Sequence, residues 1–271
     1  MIIRARPEAQ FCLANQKHIR RHPKVLSVFK TLAILKSRLK ESTVKVTAYD
    51  VVGVDQKLLM TSEKSDSTLD VMIFPIGLRY VNLPEELLEN ALMRGLLSET
   101  EQTATGKQAN LYSNQQADRQ LDRYEEDVSR KLHLFVCCHG ARDRRCGERG
   151  TPLAARLHQL VKHKGLLDKI AVCQSSHVGG HAYAGNLLVY GSSHPADGDW
   201  FGCLSSNDAT QVLDGLLDME VGSDGGVEGS SREAWRGRVG LSRTEQIDLW
   251  SAGGEVVDFQ SDSEDDVDGS C

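Results

Sequence analysis

Three pieces of sequence decide the fold: His133-Leu134-Phe135-Val136-Cys137, then Pro152-Leu153-Ala154-Ala155-Arg156-Leu157-His158-Gln159-Leu160-Val161, then Lys169-Ile170-Ala171-Val172-Cys173. The first and last are short, nearly continuous apolar runs, the pattern of strands buried on both faces. Between them, Leu153, Leu157, Leu160 and Val161 recur at helical spacing along 152–164. Pro152 stands where a helix start tolerates proline. Strand, helix, strand predicts two parallel neighbours joined by a crossover helix, so both strands release their following loops at one edge of a sheet.

Working outward, residues 186–190 and 200–204 flank a Gly- and Pro-containing turn and read as an antiparallel hairpin. Asn207 or Asp208 caps a closing helix with Val212, Leu213, Leu216 and Leu217 on its buried face. The order β-α-β-β-β-α is that of a thioredoxin-like α/β domain, placed at 131–250. Upstream, an apolar run at 11–14, a helix over 24–40, strands at 43–51 and 69–74 and a helix over 84–98 form a related, smaller N-terminal α/β segment, 1–98. Residues 99–130, rich in Gln, Asn, Asp, Glu and Ser, read as a polar linker with a helical turn near 121–128. Residues 221–233 read as a Gly/Ser-rich loop and 251–271 as an acidic disordered tail.

A chain of 271 residues suffices for one large or two small domains and needs no disulfide framework. With 40% hydrophobic and 26% charged residues it is neither collagen-like, mucin-like nor wholly disordered. No apolar run approaches the ~18–20 residues of a membrane span. The first twenty residues, broken by Arg4, Arg6, Glu8 and Lys17, carry no secretory h-region. The expectation is a soluble cytoplasmic protein, with a mitochondrial presequence remnant as the alternative reading of the basic start. The net charge of −6 is bipolar, with seven acidic and no basic residues in 251–271 against eleven Lys or Arg and two Glu in 1–45. Lacking aromatic interleaving or a nucleic-acid motif, the basic front reads as a solvated helix face, and no nucleic-acid partner is expected. Seven cysteines, an odd and unpaired count, point in a reducing compartment to metal or redox chemistry.

The chemistry collects at that one sheet edge. The loop after the first strand reads Cys137-Cys138-His139-Gly140-Ala141-Arg142-Asp143-Arg144-Arg145-Cys146-Gly147, and the loop after the second reads His177-Val178-Gly179-Gly180-His181. Two thiols and two imidazoles facing each other suit zinc or an iron–sulfur cluster, not magnesium or calcium. Eight residues separate Cys137 from Cys146, wider than a zinc knuckle. His177 and His181 have the spacing of a helical zinc pair, but Gly179 and Gly180 argue against a helix, and no Glu follows His177. Spacing alone leaves a cluster, a zinc ion or no metal open.

At these residues the chain resembles the sucrase/ferredoxin-like family of thioredoxin-like ferredoxins. The resemblance rests on the Cys-x8-Cys loop with its His-Gly-x-Arg-Asp-x-Arg-Cys-Gly core and on the His-x-Gly-Gly-His-x-Tyr-Ala-Gly-Asn segment. It extends over roughly 133–240, through Trp200 and Ala234-Trp235-Arg236-Gly237, and is weaker at Asp70 to Tyr80 and in the basic helix. It implies a [2Fe–2S] cluster with ligands Cys137, Cys146, His177 and His181. Cys138 stands where the family has Ser, a second thiol beside the first ligand, and Ala182 where it often has Lys.

That resemblance implies an electron carrier more than a catalyst with its own substrate, with bis-His, Rieske-like ligation and reduction coupled to a proton on imidazole. Redox donor and acceptor proteins are implied but not identified. Arg142, Arg144 and Arg145, less Asp143, leave positive charge beside the site. Two other readings stand beside it. One is a zinc-stabilised thioredoxin-like interaction module using the same four residues. The other is a cysteine-dependent phosphatase, since Cys138 to Arg144 is Cys-x5-Arg between a strand and a helix. Cys173 and Cys203 read as core residues within strands, and His194 as solvent-exposed.

Overall fold

The computed structural model describes residues 2–4, 47–52, 68–74, 76–101, 119–191, 193–219 and 232–252. Its strands are β1 (Ile2–Arg4), β2 (Thr47–Val51), β3 (Thr68–Ile73), β4 (Leu78–Pro84), β5 (Glu125–Asp127), β6 (Leu132–Cys137), β7 (Ile170–Ser175), β8 (Leu187–Tyr190), β9 (Asp199–Phe201) and β10 (Trp235–Arg238). The α-helices are α1 (Leu88–Glu101), α2 (Thr151–His163), α3 (Ala209–Asp218) and α4 (Arg243–Ala252). The run at 11–14, the helix at 24–40, the Gly/Ser-rich stretch up to 231 and the acidic tail beyond 252 lie outside the described residues, as do Cys12 and Cys271.

All six residues of β6 are buried, as its apolar sequence demands. It runs parallel to β7, from Leu132↔Ile170 to Cys137↔Ser175, and antiparallel to β8. The crossover is α2, which buries Leu153, Ala154, Leu157 and Val161 against the sheet. Each leucine so buried contributes about 2 kcal/mol. The hairpin pairs β8 with β9, giving the order β7-β6-β8-β9 of a thioredoxin-like sheet. α3 covers the same face as α2 through Val212, Leu213 and Leu216. Its start differs from the expected cap: Asp208 reaches backward, accepting from Ser205 N–H at 2.8 Å and Ser205 Oγ–H at 2.7 Å, a capping-box arrangement. His194 is half-buried rather than exposed, its Nε2–H donating to Leu216 O at 2.9 Å to tie the hairpin to α3.

The upstream strands repeat the design. Their order is β2-β1-β3-β4, again with the first pair parallel and the others antiparallel. α1 follows β4 and buries Leu88, Ala91 and Leu92. β2 then pairs antiparallel with β7, Tyr49↔Ser175 to Val51↔Cys173, so the strands form one ten-stranded sheet among the described residues.

Three elements depart from the sequence reading. β4 occupies residues that carried no strand assignment, and a 3₁₀ turn over Glu85–Leu87 precedes the helix expected from 84. Within the expected 99–130 linker, α1 continues to Glu101, a helical turn ends at the fully buried Leu121, earlier than expected, and β5 follows at Glu125–Asp127. β5 has no apolar signature because charges hold it: Arg79 meets Glu126 at 3.1 Å, and Arg94 meets Asp122 at 2.8 Å and Glu125 at 3.4 Å. Finally, β10 extends the sheet beyond β9. Asp199, fully buried, accepts from Trp235 Nε1–H at 2.9 Å and from Arg238 Nε–H at 2.8 Å. Cys203 falls past the end of β9, half-exposed and with φ of 62°, not within a strand.

Candidate metal centre

Strand alternation separates the two adjacent thiols. Residues 133, 135 and 137 of β6 face an apolar cluster shared with Tyr49, Cys146 and Cys173, whereas Leu134, Val136 and Cys138 face α2 and α3. Cys137 therefore points toward Cys146, and Cys138 turns its S–H to Val136 O at 3.4 Å beneath the helices.

The loop from Cys138 to Cys146 is folded on itself by its own backbone. Gly140 N–H donates to Cys138 O at 2.8 Å, Asp143 N–H to His139 O at 3.1 Å and Cys146 N–H to Asp143 O at 3.1 Å. The loop's two arms cross at Gly140 and Gly147, where a Cβ on Gly147 would sit 2.8 Å from Gly140 Cα. Asp143 spends its carboxylate inside the loop, accepting from Arg145 N–H at 3.0 Å and from the Arg145 guanidinium at 3.1 Å. That pairing holds its pKa below the usual carboxylate range. A π-helical turn over Cys146–Gly150 then feeds α2. Gly150 lies so close to Cys137 O that a Cβ would stand 2.0 Å from it.

The second loop turns back through two left-handed glycines, Gly179 at φ 97° and Gly180 at φ 57°. The reversal sets the His177 and His181 rings side by side, centroids 5.7 Å apart. Asn186, fully buried, holds the turn. Its Nδ2–H donates to Gly180 O at 2.8 Å, its Oδ1 accepts from Trp200 Nε1–H at 2.9 Å, and its backbone O accepts from Cys137 N–H at 2.9 Å. A further link joins the loops directly, His177 N–H donating to His139 Nδ1 at 3.0 Å. Asn186 stands at the end of the second His-containing motif, whose spacing alone assigns it no role. The available signal was an asparagine opening an apolar strand, whose buried amide must find partners.

The ligand atoms of Cys137, Cys146 and His177 all lie within 4.8 Å of one another. His181 stands outside that triplet but beside His177. Both sulfurs are fully buried, His177 is half-buried and His181 is exposed, so the site is dry on its sulfur side and wet on its imidazole side. The Cys137 thiol is pulled down, first by the Cys146 thiol hydrogen-bonding to it and then by the Val178 and His139 backbone N–H groups. Cys146, which supplies that proton, is raised. Such a set, two soft sulfurs with imidazole and no carboxylate, fits zinc or an iron–sulfur cluster.

The phosphatase reading fails on geometry. Burial pushes the Cys138 thiol up to about 12, the wrong direction for a nucleophile. Arg144 is solvent-exposed and pairs with Glu148 at 3.5 Å, so it does not face that thiol's core.

A family model described as sucrase/ferredoxin-like matches residues 11–237. Among curated proteins, the chain is 35% identical over 99 residues to "Altered inheritance of mitochondria protein 32" of Meyerozyma guilliermondii, covering 36% of this chain and 33% of that protein. The protein of that name from Debaryomyces hansenii is 32% identical over 96 residues, covering 35% and 34% respectively. The one from Candida glabrata is 30% identical over 114 residues, covering 37% and 34%. The matches thus span about a third of the length of these relatives.

Proposed function

Because the chain belongs to the sucrase/ferredoxin-like family, we propose that it is an electron-transfer protein holding a [2Fe–2S] cluster through Cys137, Cys146, His177 and His181. The observation that carries this reading is the convergence of two buried sulfurs and the His177 imidazole within 4.8 Å, with the His181 ring alongside. When bound there, the cluster supplies a one-electron couple, made easier to reduce by neutral imidazoles in place of two thiolates.

The chain's own residues do the rest. The Val178 and His139 backbone N–H groups favour the Cys137 thiolate, the form that binds metal. Burial of Cys137 and Cys146 excludes water from the sulfur side. His181 and Tyr183, both exposed, give the site its contact with solvent and with redox donor and acceptor proteins. With the cluster bound, His181 would keep one ring nitrogen free of metal, and that nitrogen would be the place for a proton that accompanies the electron. No helix of the described residues is long and apolar enough to cross a membrane. The relatives' names speak of mitochondria, and the mitochondrial alternative for this chain is consistent with them.

A zinc-held interaction module uses the same donors and is the second reading. Anaerobic purification with an absorption spectrum and assays of iron, sulfide and zinc separates the two. The cluster reading expects a brown protein with about two irons and two sulfides per chain, both lost in Cys146→Ala and His177→Ala. A colourless protein with about one zinc would replace it with the module.

A further inference from the structure

Ser175 is fully buried, and its Oγ has no hydrogen-bond partner among the described residues. A hydroxyl left so in a closed interior is costly, which calls for an explanation in a strand this well packed. Its position supplies one. In the parallel β6–β7 pair Ser175 is the register partner of Cys137, so the two side chains stand next to each other on one face of the sheet. Residues on this face of the two strands, Phe135, Cys137 and Cys173, pack with Cys146 and Val178 in one apolar cluster. On its other side Ser175 is in register with Tyr49 of β2, itself buried, whose ring packs edge-on to Phe135. The backbone of Ser175 is already committed, its O accepting from Cys138 N–H at 3.0 Å. What remains is a buried donor beside the sulfur side of the metal centre, in register with Cys137 on one side and with Tyr49 on the other.

We infer that the Ser175 hydroxyl is the donor that tunes the metal centre, hydrogen-bonding to its sulfur once the cluster proposed above is in place. A donor aimed at sulfur stabilises the reduced, more negative form over the oxidised one and so raises the reduction potential. Ser175 is then a positioning and tuning residue, not a ligand. Its two roles make opposite demands. In metal-free protein its hydroxyl is a liability, and in loaded protein it is satisfied.

The experiment uses the full chain, reconstituted anaerobically with iron and sulfide, comparing wild type, Ser175→Ala and Ser175→Thr. Iron and sulfide are assayed first, so a wild type that loads neither overturns the cluster reading, and this inference with it, before any variant is judged. With equal loading, Ser175→Ala is expected to shift the reduced-to-oxidised ratio at fixed ambient potential by about tenfold toward oxidised, or ~59 mV for one electron. Ser175→Thr, which keeps the hydroxyl, is expected to hold the wild-type potential. In metal-free protein Ser175→Ala is expected to leave the thermal midpoint unchanged or raised, whereas an ordinary structural serine would lower it. Equal potentials in wild type and Ser175→Ala would overturn the inference while leaving the cluster intact. So would a Ser175→Ala chain that folds yet takes up no iron while Ser175→Thr does, since the hydroxyl would then build the site rather than tune it.

Discussion

Cys137 and Cys138 are neighbours in sequence and opposites in role, because a strand sends successive side chains to opposite faces. Cys138→Ser is therefore expected to leave the iron content unchanged and to cost about 1–2 kcal/mol, the price of a hydroxyl under α2, read as a lower urea midpoint. Cys137→Ser should abolish loading in the same assay, and equal loss from both would undo the facing drawn here. A second residue makes a pH-dependent statement. His133 is buried, its Nδ1–H donates to Lys131 O at 2.7 Å, and burial lowers its pKa from 6.5 to about 4. The folded state thus refuses a proton that the unfolded state accepts. Its contribution is whole above pH 6.5 and is lost as pH falls from there toward 4. The loss between pH 7 and pH 5 comes to about 2 kcal/mol. His133→Gln keeps a donor for Lys131 O but cannot charge, so its stability should fall less over that window. Identical pH slopes in urea titrations of the two proteins would refute this.

At the scale of elements, what was legible in the sequence is what burial dictates on its own. β6, α2, β7, β8 and α3 carry apolar runs or one-sided spacings that no other arrangement uses so well, and all stand close to where periodicity puts them. β5 and β10 do not, because Glu125–Asp127 and Trp235–Arg238 are edge strands held by ion pairs whose partners lie far away in sequence. β4 was hidden by polar residues and by Asn82, whose φ of 56° interrupts its alternation. The site shows the same division. Its Cys and His residues are visible by spacing and chemistry, but the choice of Cys137 over Cys138 needs the phase of the strand. The Asn186 bridge between loops needs the fold itself. One junction matters more than its sequence suggests. The π turn reaches Cys137 only because Gly150 lacks a Cβ, which would lie 2.0 Å from the Cys137 carbonyl oxygen. Gly150→Ala is expected to destabilise by about 3 kcal/mol and to lower iron retention. Gly165→Ala is the contrast, with φ of 69° but nothing within 4 Å, and should cost only about 1–2 kcal/mol with loading intact. Similar losses of iron in both would show that the turn's approach to β6 is not what sets the site.

For the whole molecule, the decisive fact is that two strand sets of one design share a single sheet through β2 and β7. The apolar cluster behind Cys137 and Cys146 draws residues from both, with Tyr49, Met72 and Phe74 from one and Phe135, Leu188 and Tyr190 from the other. Phe74 stacks on Tyr190 at 4.8 Å and meets Phe135 edge-on at 5.7 Å, so aromatic contact crosses the junction as well as backbone pairing. The upstream set therefore forms part of the floor under the candidate metal centre. This arrangement makes stability a property of the whole sheet. Leu92 is fully buried between α1 and the upstream strands, within a cluster that includes Leu88, Tyr80 and Leu121 and none of the candidate ligands. Leu92→Ala should cost about 2–5 kcal/mol by the cavity it leaves. Because β2 and β7 pair, the loss should reach the site: in thermal unfolding, the visible absorbance of the loaded centre and the far-ultraviolet helix signal should both move down and stay coincident. A centre whose absorbance holds its wild-type midpoint while the helix signal drops would mean that the two strand sets unfold independently, and that the shared sheet does not couple them.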